Sequence, residues 1–203
     1  MTVDVWLDPM CPWSGVAAEW VLEVQREIGL DVRWHAMSLA VLNEGQEIPE
    51  EWRQLIADSW GPVRTLEAAD QQVTTAEAGR LVSALVRRFH ADGRRDVDAV
   101  IRESVDECEL PSSLAELAWV TDLDEDLRAS HGRAMSLGGS DVGSPIIAVP
   151  GPDDELVGFY GPVIAEIPRG GEAVRLWEAF LILAATPGFF EIKRTRDVEP
   201  NFG

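Results

Sequence analysis

The chain has 203 residues, 46% of them hydrophobic, enough for one well-buried core with room for an inserted subdomain. Thirty-six acidic residues against seventeen basic ones leave a net charge of −19, which repels phosphate backbones and anionic lipid surfaces and excludes nucleic acid and membrane as expected partners. No stretch reaches transmembrane length, and a strand beginning at Val3 leaves no space for a signal peptide, so a cytoplasmic setting is expected, in which two distant cysteines do not suggest a structural disulfide.

Val3, Val5 and Leu7 alternate with Asp4 and Trp6, the period of a strand, and Asp8-Pro9 breaks it. Val16, Ala17, Trp20, Val21, Val24 and Ile28 then recur at helical spacing until Gly29. Leu30, Val32, Trp34 and Ala36 alternate with Asp31, Arg33 and His35, a second strand that the helical crossover makes parallel to the first. From about Pro49 to Gly138 the periods are helical, punctuated by Gly61-Pro62, Ala91-Asp92-Gly93 and Leu110-Pro111. Strands resume at Pro145–Val149 and Glu155–Tyr160, with Pro150-Gly151-Pro152-Asp153-Asp154 reading as a hairpin turn, and a last helix is expected over 172–186. The order β-α-β, helical block, β-β-α is that of an α/β thioredoxin fold with a large helical insertion, the parts falling at 1–44, 45–140 and 141–203.

Cys11-Pro12-Trp13-Ser14 stands where the first strand gives way to the first helix. Unpaired amide N–H groups and the positive end of the helix dipole favour a thiolate there, so the Cys11 pKa is expected to fall by one to several units from about 8.5. A second cysteine at position 14 would resolve a mixed disulfide on Cys11. Serine cannot, although its hydroxyl can hydrogen-bond the sulfur and leave resolution to an outside thiol. The two halves of the sheet must meet in space, which brings the turn before Pro145 beside Cys11 and favours a cis Ser144-Pro145 bond, with the Ser144 backbone able to hold a sulfur-bearing substrate strand-fashion. Trp13 and Trp60 are indoles that could stack on an aromatic substrate.

Cys108 shares a helical face with Val97, Ile101 and Val105 and reads as a small buried hydrophobe. His90 ends a helical run before Gly93, where capping and site roles are equally open. His35 lies opposite the apolar face of its strand, His131 on a polar helix face, and Asp122–Asp126 reads as a capped helix start on a solvated face. No His and Cys spacing suits a metal.

The sequence resembles the DsbA-like mycothiol-dependent nitroreductases over nearly its full length. The resemblance is carried by Asp8-Pro9-Met10-Cys11-Pro12-Trp13, by 35–44, by Trp60-Gly61-Pro62-Val63-Arg64, by Asp141-Val142-Gly143-Ser144-Pro145, by Gly161-Pro162, by Ile167-Pro168-Arg169-Gly170 and by 189–196. It implies a homodimer whose thiol site lies between the thioredoxin part and the helical insertion and uses mycothiol as co-substrate. It also makes Pro12, Trp13, Asn43, Trp52, Trp60, His90, Val142, Gly143, Ser144 and Pro145 candidates for lining a thiol or small-molecule pocket around Cys11. Trp52 stands where tyrosine is expected, and Ser14 replaces the second cysteine of Cys-Pro-Trp-Cys, which removes an internal disulfide from the mechanism. The leading expectation is a thiol-disulfide oxidoreductase acting through Cys11 alone. The alternatives are an enzyme like the kappa-class glutathione transferases and chromene-carboxylate isomerases, in which a bound thiol attacks, and a non-catalytic binding module.

Overall fold

The computed structural model describes residues 1–151 and 155–203. Strand β1 (Thr2–Leu7) is followed by helix α1 (Pro12–Ile28) and strand β2 (Asp31–Ala36). Gly29 closes α1 because the chain turns there at φ 67, a left-handed conformation that glycine enters without steric cost, and its N–H donates to the Gln25 carbonyl. Between β2 and β3 lie α2 (Leu39–Leu42), α3 (Glu50–Asp58), α4 (Trp60–Gln72), α5 (Thr75–Val86), a π-helical turn (Arg87–Ala91), α6 (Val97–Glu107), α7 (Ser113–Leu117) and α8 (Asp124–Gly138). Strands β3 (Ile146–Pro150) and β4 (Leu156–Tyr160) and helix α9 (Gly170–Ala184) complete the fold.

The sheet order is β2-β1-β3-β4: β2 runs parallel to β1, with Val5 opposite Trp34, and β3 and β4 are antiparallel additions, with Val5 opposite Ile147. Strand β1 is thus central, and its residues from Val3 to Leu7 are all buried, where alternation alone predicts one wet face. Helices α1 and α9 pack on each other through Trp20, Trp177 and Phe180, and the Trp20 indole N–H donates to the Ala173 carbonyl at 3.1 Å. Helices α4 and α5 dock on β2, and α8 on β3 and β4. A second apolar cluster within the insertion holds Phe89, Ile101, Val105 and Leu114.

Burying both faces of β1 forces a polar solution at Asp4. Its carboxylate accepts from Arg33 at 2.7 Å and faces His35 Nε2 at 2.8 Å, while His35 Nδ1 faces Asp70 of α4 at 2.6 Å and the imidazole stacks on Trp6. Burial alone would lower the His35 pKa, but the two carboxylates bonded to its ring raise it to about 9, so the ring is an imidazolium clasping β1, β2 and α4.

Three expectations need correction, and a fourth falls partly outside the described residues. Helix α9 starts at Gly170, before the apolar run, because Glu23 of α1 accepts the Gly170 N–H at 2.9 Å and serves as its cap. Helix α8 has no side-chain cap at Leu123, and Asp124 is not solvated but takes a bidentate pair from Arg64 at 2.7 and 3.0 Å. His131 is buried, its Nδ1 accepting the Ser38 N–H at 3.4 Å. The turn expected at Pro150–Asp154 falls partly on residues 152–154, outside the described residues.

Candidate active site

Cys11 is the residue immediately before α1, with φ −81 and ψ 115, and Pro12 follows at the first helical position, where its missing N–H costs nothing. Its N–H donates to the Asp8 carbonyl and its own carbonyl accepts from Gly15, so the thiol sits in a closed turn. The Ser144–Pro145 peptide is cis, and the Ser144 carbonyl accepts from the Cys11 thiol at 3.7 Å. Ser14 is fully buried, and its hydroxyl lies 2.7 Å from Ser144 Oγ, which also accepts the Asp8 N–H at 3.1 Å. With Ser144 donating to Ser14, the Ser14 proton is left to point at the Cys11 sulfur.

Burial pushes the Cys11 thiol above its ordinary range, and the Asp8 carboxyl adds to the rise; hydrogen bonds from the Ser14 hydroxyl and from the amides of residues 13 and 14 oppose it without winning. The expectation of a depressed pKa is therefore corrected. The helix N-terminus does offer its donors, but Cys11 is only 8% exposed, and the Ser144 carbonyl can accept only from the protonated form.

Asp8 was legible in the sequence only as a strand breaker, yet it organises this turn. It is fully buried; its carboxylate accepts from Met10 N–H at 2.8 Å and Leu39 N–H at 2.7 Å, tying the cysteine turn to the start of α2. Burial raises its pKa to about 7 against those bonds and one from Ser59.

Of the remaining candidates, His90 comes to the site from the π-helical turn, its Nε2 donating to the Pro9 carbonyl at 2.8 Å and its ring stacking on Phe202 with centroids 5.0 Å apart. Burial lowers its pKa, so it is a neutral imidazole, not the charged helix-end group that a capping role requires. Gly15 permits this approach, since a Cβ there would stand 3.2 Å from His90 and 3.0 Å from Val86. Gly143 underlies the Tyr160 ring, and Val142 packs with the cluster of Trp6, Met37 and Ile146.

Others are engaged elsewhere. The Trp60 ring carries the guanidinium groups of Arg64 at 4.9 Å and Arg128 at 5.7 Å, so it is not a free stacking surface. Trp13 has Arg196 over its ring at 5.3 Å. Asn43 caps α2 by donating from Nδ2 to the Leu39 carbonyl at 2.8 Å. Trp52 is half-exposed on α3, a helix with no buried residue. Cys108 is buried in the insertion's apolar cluster and unpaired.

Ser144→Ala removes the middle of the hydroxyl chain and leaves the Asp8 N–H unpaired. We expect the Cys11 titration to move further up, read by alkylation across a pH series, together with a stability loss of about 1–3 kcal/mol by chemical denaturation. An unmoved titration would take Ser144 out of the chain.

A thioredoxin fold with a helical insertion, carrying its cysteine at the mouth of the first helix against the loop before Pro145, defines a DsbA-like thiol-disulfide oxidoreductase. The family model described as Rv2466c-like, mycothiol-dependent nitroreductase Rv2466c, matches residues 10–194, and the chain belongs to that family. Among curated proteins, Rv2286c of Mycobacterium tuberculosis is 27% identical over 205 residues, covering 98% of this chain and 85% of that one. The cytosolic disulfide reductase DsbM from Pseudomonas aeruginosa, also solved with GSH, superposes with a TM-score of 0.60 at 21% identity, covering 90% of this chain and all of that one. A 2-hydroxychromene-2-carboxylate isomerase superposes with a TM-score of 0.61 at 16% identity over 90% of this chain and 94% of its own. Both structural likenesses concern the fold. Among the described residues no helix is long and apolar enough to cross a membrane.

Proposed function

We propose that the protein is a monothiol oxidoreductase of the cytoplasm that exchanges Cys11 with mycothiol. The observation that carries this reading is the Cys11 sulfur lying 3.7 Å from the Ser144 carbonyl with Ser14, not a second thiol, at its side. In the first step the Cys11 thiolate attacks a disulfide: the Cys11–sulfur bond forms, the old S–S bond breaks and one thiolate leaves with the electron pair. In the second, an outside thiolate attacks the mixed disulfide, releases Cys11 and carries off the bound half as a new disulfide; a second outside thiol then frees that half, so two outside thiols end as one disulfide and supply the electron pair.

The raised thiol pKa supports a division of labour. Resting Cys11 is a protonated thiol, and the hydroxyl chain and helix amides stabilise the anion as it forms. His90, neutral and hydrogen-bonded to Pro9, holds the turn in place as a positioning residue. Pro12, Trp13, Val142, Gly143 and Pro145 form the surroundings that an incoming disulfide meets, and Asn43, Trp52 and Trp60 belong to the insertion side of the same reading. Nitro reduction, which the family name carries, would draw the same electron pair from two thiols. A homodimer is part of this proposal, and the exposed apolar side chains of Ile182, Phe190 and Ile192 offer surface for a second copy.

The test is intact mass after incubation with mycothiol disulfide. One adduct is expected, mapped to Cys11, absent in Cys11→Ser and removed by free mycothiol. An adduct on Cys108 alone would overturn the reading. Turnover of a nitroaromatic or disulfide substrate that survives Cys11→Ser would assign the attack to a bound thiol instead, the chemistry of the isomerase-like alternative.

A further inference from the structure

After α9 the chain runs back across the thiol site without helix or strand, and it is fastened at intervals. Phe189 packs on Phe159 at 5.8 Å, Asn201 N–H donates to the Ala165 carbonyl at 2.7 Å, and Phe202 stacks on His90. Between these points Arg196 lies over Trp13, two residues from the nucleophile.

Arg196 differs from most arginines of this chain. Arg64, Arg94 and Arg128 are each gripped by a carboxylate with both faces of their charge accounted for. Among the described residues Arg196 makes no ion pair, although Glu191, Asp197 and Glu199 share its segment, and its side chain is exposed. Its guanidinium carbon stands 5.3 Å from the Trp13 ring centre, a cation–π contact that engages no N–H, and a carboxylate can meet those N–H groups with two parallel hydrogen bonds. Tyr160 stands on the same side: its partly exposed ring lies against Gly143 beside Ser144, and burial raises the pKa of its phenol, on which the charges of Arg196 and Cys11 also act, the first lowering and the second raising it. The surface elsewhere is strongly acidic, with a net charge of −19, so an anionic small molecule is repelled except where a free cation stands.

We propose that Arg196, held over Trp13 at the rim of the Cys11 site, binds the carboxylate of the disulfide substrate that Cys11 attacks. This rests on the reading of Cys11 as the nucleophile. In the exchange, the Cys11 thiolate forms a bond to the near sulfur of the carboxylate-bearing disulfide, the S–S bond breaks, and the far half leaves as its thiolate with the electron pair. Arg196 takes no part in bond making; it selects which disulfide is presented.

Three disulfides of similar size test it: 3,3′-dithiodipropionate, which is anionic, 2,2′-dithiodiethanol, which is neutral, and cystamine, which is cationic. Adduct formation on Cys11 is followed by peptide-resolved mass spectrometry at low salt. Arg196→Gln is expected to slow the anionic probe by about threefold to fivefold, the upper part of the range of an exposed ion pair, while leaving the neutral one unchanged and cystamine no slower. Arg196→Lys should keep most of the preference, and raised salt should remove it. Equal slowing with all three probes would make Arg196 a packing residue on Trp13 and overturn the proposal, as would no change with any. If wild-type Cys11 forms no adduct with any probe, the nucleophile reading fails first and this proposal with it.

Discussion

Ser14→Cys should convert a persistent mixed disulfide into a short-lived one. In the natural chain an adduct on Cys11 has no thiol beside it: Ser14 offers only oxygen, and Cys108 is buried in the insertion. Once free thiol is removed, the adduct should last until an outside thiol returns. A cysteine at position 14 attacks from within the same helical turn, where its effective concentration is high, so the adduct lifetime should fall by on the order of a thousandfold. The product is an internal disulfide with a defined two-electron potential. The measurement loads Cys11 with mycothiol, strips free thiol and follows intact mass over time in both proteins. Equal lifetimes would mean that another group resolves the adduct in the natural chain, and the monothiol mechanism would fall.

The second large effect concerns stability. His35 is held at a pKa of about 9 in the fold by Asp4 and Asp70, against about 6.5 in the unfolded chain. A pKa raised on folding gives stability that is fully present below the unfolded value and is lost as pH rises through the folded one. The difference is about 2.5 units, or about 3 kcal/mol, all of it present below pH 6.5 and gone above about pH 9. Asp8 and the two cysteines also have raised values and lose stability as pH rises, so the wild-type curve alone does not isolate the imidazolium. The isolating measurement is the difference in unfolding free energy between wild type and His35→Phe. It should be flat up to about pH 6 and shrink steadily toward pH 9. A difference that stays constant from pH 6 to 10 would mean that His35 is neutral in the fold.

Much of the architecture was legible because its causes are local. Period-two alternation marked β1 and β2, Gly29 marked the end of α1, and the order of elements placed Ser144-Pro145 opposite Cys11. What escaped was decided by partners distant in the chain. Asp8 looked like punctuation, since nothing near it in sequence announces that Leu39 and Ser144 will close around it. Trp60 looked like a free indole, though Arg64 stands four residues on, and Arg128 reaches it only through the packing of α8. The direction of the Cys11 shift was misjudged for the same reason: helix position can be read from sequence, but the depth at which the sulfur is buried cannot. Arg196 entered the sequence reading only within 189–196, one of the segments that carry the family resemblance, and nothing near it in sequence announces that the last segment will cross Trp13.

The link from Asp8 through Ser144 to Ser14 also bears on transplantation. Cys-Pro-Trp-Ser is four contiguous residues, and grafting it onto the first helix of another protein looks simple. The sulfur's environment is discontinuous, however: the carboxylate that anchors the turn comes from position 8, and a hydroxyl and a carbonyl come from 144. A graft of the tetrapeptide alone would carry the nucleophile without its chemistry, and the smallest portable unit is the β1–α1 turn together with the loop before Pro145.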